Sequence, residues 1–316
     1  MSASILQRIV ALGLLALFTL LQASPAAAGA PQRFIVFGDS LSDPGNAFLL
    51  LRDVEVPPFD NLIPDAPYAR GALHFSNGAT WVEQLSVLDH ALPSTGPALL
   101  NPAMFSNYAV GGARARQGFF DLSTQVGLFM DDFENHAPAD ALYVVFIGGN
   151  DLRAALAAPA QALGIVGGAL SAIRDNLLTL HAAGARNFLV ANAPDLGLAP
   201  AVRLLGPDAR GAASELASLF NFRLEQILGE LESGPGLNIV RLNVFEILNE
   251  IVAAPGAFGL TEATRPCIAL NTRVGAFCSK PGTFLFWDGI HPTKAGHRIL
   301  AERARAALSN STGKTP

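Results

Sequence analysis

Short apolar runs alternate with longer amphipathic ones along most of the chain. Arg33–Phe37, RFIVF, carries four large apolar side chains in a row and leaves through Gly38-Asp39-Ser40, which predicts a buried strand ending in a turn. Ala141–Ile147, ALYVVFI, is continuous, β-branched and aromatic, so it predicts a central strand covered on both faces. Asn187–Ala191 and Leu237–Leu242 read the same way, and Phe105–Val110 predicts a further strand. Between them, helical spacing of apolar residues predicts helices over Thr80–Leu88, Leu122–Phe133, Pro159–His181, Ala212–Leu231 and Thr293–Leu308. Gly184 stands just past the third as a stop, and Thr293 holds the N-cap position of the last. Strands alternating with helices predict a parallel sheet with helices on both faces, here one three-layer α/β/α domain of about five strands. Val54–Gly78, Ala193–Gly211 and Ala254–Gly282 are too long and too rich in Pro and Gly for simple connections, and loops of that kind commonly carry function.

Composition narrows the picture. The chain has 316 residues, is 50% hydrophobic and carries a formal net charge of -5 with no long basic run, which argues against nucleic acid as a partner. The N-terminus is patterned differently from the rest. Arg8 precedes the apolar run Ile9–Leu21, and Ser24-Pro25-Ala26-Ala27-Ala28 supplies small residues in A-x-A order. That sequence of regions predicts a cleaved export signal over 1–28, with an apolar run too short for a membrane span. The expectation is therefore a protein exported to the periplasm or the medium, with no membrane span after cleavage, a folded domain over 29–309 and a disordered tail over 310–316. Cys267 and Cys278 lie close together in a Gly/Pro/Thr-rich stretch, and in an oxidising compartment they are expected to pair. Without neighbouring histidines they do not make a zinc site, and no other cluster has metal-ligand spacing, so no metal or other cofactor is expected.

Ligands of an open parallel sheet bind beyond the carboxyl ends of its strands. Four polar clusters fall there: Gly38-Asp39-Ser40, Gly111-Gly112, Gly148-Gly149-Asn150-Asp151, and Asp288 with His291 in FLFWDGIHPT. A serine hydroxyl needs a base within hydrogen-bond reach, and the near-neutral pKa of histidine suits His291. The base needs an acceptor that fixes its tautomer, and Asp288 stands three residues before it. A tetrahedral intermediate needs donors for its oxyanion, which glycine N–H groups and the Asn150 amide can supply. Taken alone, Ser40 would read as the N-cap of a helix starting near Leu41, Asp43 as a cap, and Asn150 as a competitor with Asp151 for a helix end.

The four blocks in order, FGDSLSD, NYAVGGA, GGND and WDGIHPT, resemble the SGNH hydrolase superfamily, the GDSL esterases and lipases. The resemblance spans Phe37 to Thr293 and implies a flavodoxin-like sheet and metal-free hydrolysis of esters or thioesters. Carried over residue by residue, it makes Ser40 the nucleophile, His291 and Asp288 its partners, and Ser40, Gly112 (Gly111 as fallback) and Asn150 the oxyanion donors. In HFSNGATWVEQL the secreted esterase branch often has an arginine where this chain has His74, which weakens any substrate analogy drawn from that segment. The expected substrate is a small-molecule or lipid ester. A carbohydrate O-acetylesterase is the nearest alternative, and an inactive binding scaffold is the alternative from another class.

Overall fold

The computed structural model describes residues 33–312 except 92 and 235. The expected export signal, 1–28, and residues 313–316 of the expected tail lie outside the described residues. Residues 310–312 form the end of the last helix rather than a loose tail.

The main sheet holds β1 (Phe34–Gly38), β2 (Leu142–Phe146), β3 (Asn187–Ala191) and β4 (Asn238–Leu242), all parallel and in that spatial order. The helices of six residues or more, in chain order, are α1 (Asn46–Leu51), α2 (Trp81–Leu88), α3 (Leu122–Asp132), α4 (Gly149–Ala157), α5 (Ala162–Ala183), α6 (Pro207–Glu232), α7 (Val244–Ala253) and α8 (Lys294–Thr312). Strand side chains alternate between faces, so each strand feeds two cores. Ile35, Phe37, Tyr143, Val145, Phe188 and Val190 join the core that α3, α4, α5 and α6 cover. Phe34, Val36, Val144, Leu189 and Val240 join the one that α2, α7 and α8 cover. Fully burying one such side chain stabilises by about 1.5–3 kcal/mol, so continuous apolar strands are what a sheet covered twice requires.

The sheet has four regular strands, in keeping with the expected number of about five; Phe105–Val110 is not a regular strand. The segment does run beside β1: Val36 N–H donates to the Ser106 carbonyl, Tyr108 N–H to Val36 and Val110 N–H to Gly38. The pairing is reduced to a single bridge at Val36 and Asn107, because the Gly38 N–H that would continue the ladder donates instead to Gln125 Oε1 at 2.9 Å. A side chain that captures a backbone group in this way competes with sheet pairing. The edge position is thus filled by an irregular ribbon that still carries Gly111 and Gly112 to the strand ends.

α6 begins at Pro207, earlier than periodicity suggested, since proline suits the first helical turn. Thr293 caps α8, its Oγ1 accepting the Gly296 N–H at 3.1 Å. The stretch before it folds into β5 (Glu262–Pro266) and β6 (Phe284–Phe286), a small parallel pair. Cys267 and Cys278 form a disulfide there. Their loop packs with Phe59, Tyr68, Ile268, Ala276 and Trp287 in a small apolar cluster next to Asp288.

Candidate active site

β1 ends at Gly38, whose two backbone groups are both gripped by one side chain of α3. Gln125 accepts the Gly38 N–H at 2.9 Å and donates to its carbonyl at 2.8 Å. The chain then turns: Asp39 accepts the Leu41 N–H at 3.1 Å, and the Ser42 N–H closes back on the Asp39 carbonyl at 3.0 Å. Ser40 sits on this turn and caps no helix, because α1 starts only at Asn46. Asp43 takes the capping work, accepting from Gly45, Asn46 and Ala47, and also from Gly111 at 2.8 Å. Burial pushes Asp39 up to about 6, against the Leu41 N–H and the charge of His291. Burial likewise pushes Asp43 up to about 6 despite its four N–H donors.

The loop between β6 and α8 is tied on itself, with Trp287 N–H donating to the His291 carbonyl. Asp288 is fully buried and accepts four hydrogen bonds. Its Oδ1 takes the Ile290 and His291 N–H groups at 2.9 and 2.8 Å. Its Oδ2 takes His291 Nδ1–H at 2.7 Å and the Tyr68 hydroxyl at 2.9 Å. A carboxylate can only accept, so the His291 proton resides on Nδ1 and Nε2 is left with its lone pair. That lone pair faces Ser40 Oγ at 2.8 Å. A continuous relay from hydroxyl to imidazole to carboxylate results, and it can move a proton off Ser40.

The remaining blocks converge on the same place. Gly112 has φ +80, a left-handed conformation that favours glycine, and its N–H donates to no group among the described residues. Gly111 differs: its N–H is committed to Asp43, and a Cβ there would lie 2.1 Å from the Phe75 ring. The Ser40 N–H also donates to no group among the described residues. Asn150, in the first turn of α4, donates one amide hydrogen to the Ala113 carbonyl at 2.9 Å and has a second to give. Asp151 does not compete for a helix end. It accepts the Ala115 and Arg116 N–H groups and so anchors the loop after Gly112.

Local sequence gave no sign of Tyr68, Phe75, Gln125 or Arg153. Phe75 leans against the His291 ring at 5.4 Å. Arg153 Nη1 donates to Asn150 Oδ1 at 3.0 Å. Tyr68 and Phe75 lie in the long Pro- and Gly-rich loop Val54–Gly78, and Phe75 also falls in HFSNGATWVEQL, but neither signal gave them a place beside Asp288 and His291. His74 bonds Gly71 O at 2.7 Å and Glu83 at 2.9 Å. Burial opposes its charge, but the hydrogen bond and charge of Glu83 outweigh it and raise the His74 pKa. His297 is buried too, and burial, with the like charges of His291 and His74, lowers it to about 3.

The sequence profile of the GDSL-like lipase/acylhydrolase family matches residues 34–304. The chain is 25% identical over 318 residues to a GDSL esterase/lipase of Arabidopsis thaliana, covering 85% of this chain and 82% of that one. It is 26% identical over 298 residues to the thermolabile hemolysin of Vibrio parahaemolyticus, covering 88% of this chain and 64% of the hemolysin. Among solved structures, a catalytic mutant of an acetylxylan esterase from Geobacillus stearothermophilus aligns at TM-score 0.47 and 15% identity, over 90% of this chain and 95% of that one. The family match takes in every strand of the main sheet and all four converging blocks, so the chain belongs to the GDSL-like lipase/acylhydrolase family and is a carboxylic ester hydrolase.

Proposed function

We propose that this protein is an exported serine esterase or lipase that works through an acyl-enzyme on Ser40. His291 Nε2 takes the Ser40 proton as Oγ attacks the ester carbonyl. The Ser40 and Gly112 N–H groups and the Asn150 amide receive the negative charge that develops on the carbonyl oxygen. The imidazolium, steadied by Asp288, then protonates the leaving alcohol as the tetrahedral intermediate collapses. Water enters, gives its proton to His291 and releases the acid. The observation that carries this reading is the relay itself, with Ser40 Oγ to His291 at 2.8 Å and His291 to Asp288 at 2.7 Å. The choice of Gly112 over Gly111 rests on the Gly111 N–H being taken by Asp43.

An apolar acyl chain is favoured by a cleft beside the nucleophile. Leu41, next to Ser40, and Ile290 and Pro292, on either side of His291, form its near wall. Ile247, Leu248 and Ile251 of α7 form the far one. The cleft has a cavity volume of ≈ 60 Å³ and is partly open to solvent. None of its lining side chains is charged. Export is supported by the Cys267–Cys278 disulfide, since such bonds persist in oxidising compartments, and by the pattern of the first residues.

The test is a set of initial rates on p-nitrophenyl esters from acetyl to palmitoyl, wild type beside Ser40→Ala. The account predicts an optimum at an acyl chain longer than acetyl and no turnover in the variant. An acetyl optimum with falling rates on longer chains would replace the lipase reading with a short-chain deacetylase.

A further inference from the structure

Arg153 stands one turn beyond Asn150 on α4 and is exposed. Its guanidinium carries five N–H donors in a planar fork. One of them holds Asn150 Oδ1 at 3.0 Å, and the Asn150 amide is held from its other end by the Ala113 carbonyl at 2.9 Å. The remaining donors have no partner, and no carboxylate lies within ion-pair distance of Arg153, among the described residues. The group nevertheless feels the site. Partial burial lowers its pKa, while the charges of Asp39, Asp288 and Asp65 raise it and that of Arg114 lowers it further. Arg114 comes two residues after Gly112, and its side chain likewise makes no hydrogen bond or ion pair among the described residues. Two guanidiniums without carboxylate partners thus stand at the rim of the oxyanion donors. Of the carboxylates in reach, Asp39 is buried and pushed up to about 6, and Asp288 is already met by four donors. Asp65 is exposed to solvent, where its charge is screened.

We infer that Arg153, with Arg114 beside it, is a specificity-determining residue that receives an anionic oxygen group on the alcohol half of the ester. This rests on the serine mechanism and the acyl cleft proposed above. The assignment to the alcohol half follows from the two faces of the sheet. The apolar cleft is lined from the core under α7 and α8, whereas α4 packs its Leu152 and Ala155 into the opposite core. With the acyl chain in the cleft on one side of the sheet, a substrate group that reaches Arg153, beyond Asn150 on the other side, belongs to the alcohol half. A planar guanidinium matches a carboxylate or a phosphate with two parallel N–H bonds, so either group fits.

The experiment compares hexanoyl esters of 4-hydroxybenzoate, of 4-hydroxyphenyl phosphate and of the neutral methyl 4-hydroxybenzoate. Each is tested with wild type, Arg153→Gln, Arg153→Lys and Ser40→Ala. The wild type should favour at least one anionic ester over the neutral one by about tenfold in kcat/KM, the scale of a charge-assisted hydrogen bond. The better of the two anions names the group. Arg153→Gln should erase the preference, Arg153→Lys should keep part of it, and added salt should weaken it. If Arg153→Gln lowers all three rates by one common factor, Arg153 only steadies Asn150 and the inference is overturned. A wild type without any preference overturns it as well. Turnover surviving in Ser40→Ala would instead bring down the serine mechanism, and this inference with it.

Discussion

Asp288 accepts four hydrogen bonds, and each removes some freedom from the His291 imidazole. Tyr68 supplies one of them from 220 residues away, so no local pattern could have announced it. Tyr68→Phe keeps the ring against Trp287 but deletes this bond; kcat/KM should fall by about tenfold, since hydrogen bonds to charged groups are worth about 1.5–3 kcal/mol. An unchanged kcat/KM would show that the other three donors suffice. Asn150→Ala removes a proposed oxyanion donor and should lower kcat by about 10²–10³ with little change in KM. His297 makes a prediction about stability. Its folded pKa of about 3 lies below the ordinary histidine value of 6.5, so its contribution is present above pH 6.5 and is lost as pH falls toward 3. Asp39 and Asp43 act in the opposite sense: their pKa is raised to about 6, and their contribution is complete below 3.8 and lost as pH rises through 6. Urea denaturation of His297→Gln beside wild type, at a series of pH values from neutral to acid, isolates the first effect. The variant should lose less stability than wild type on the acid side, and parallel profiles would contradict this.

At the scale of elements, what could be read from sequence depended on whether the physics was local. Ser40, Gly112, Asn150, Asp288 and His291 stand out as candidates in the sequence because each sits in a short polar block after an apolar run, and a run that stops is a local signal. The five apolar segments were visible for the same reason, but the fate of Phe105–Val110 was not. Whether that segment keeps a ladder depends on Gln125, 87 residues further along, taking the Gly38 N–H, a contact set by the folded chain. The long loop Val54–Gly78 announced itself by length alone, and nothing in it marked Tyr68 or Phe75 as neighbours of His291. Phe75 links two blocks, lying under Gly111 and against the His291 ring. Gly111→Ala would push a methyl to within 2.1 Å of Phe75. Overpacking of that kind costs about 1–3 kcal/mol, and here it should lower kcat together with the melting temperature. Loss of stability with full activity would show that Phe75 does not steady the imidazole.

Across the whole molecule, a parallel sheet collects at one edge what the sequence spreads from Phe37 to Thr293. The converging groups arrive at the carboxyl ends of strands, on the irregular ribbon beside β1 or on the loop entering α8, and the two cores beneath hold that edge in place. The disulfide closes a short loop, with a sequence separation of 11, beside the aromatic cluster that backs Asp288. Replacing Cys267 and Cys278 by serine should lower stability by roughly 2–3 kcal/mol in urea denaturation, the chain-entropy value for a loop of this size. The central claim is that Ser40 is an activated nucleophile, and its most direct test is intact-mass analysis after exposure to a fluorophosphonate. The account predicts one covalent adduct, mapped to Ser40 and absent in Ser40→Ala and in folded His291→Ala. Folded wild-type protein that takes up no label, or carries it on another residue, would contradict it.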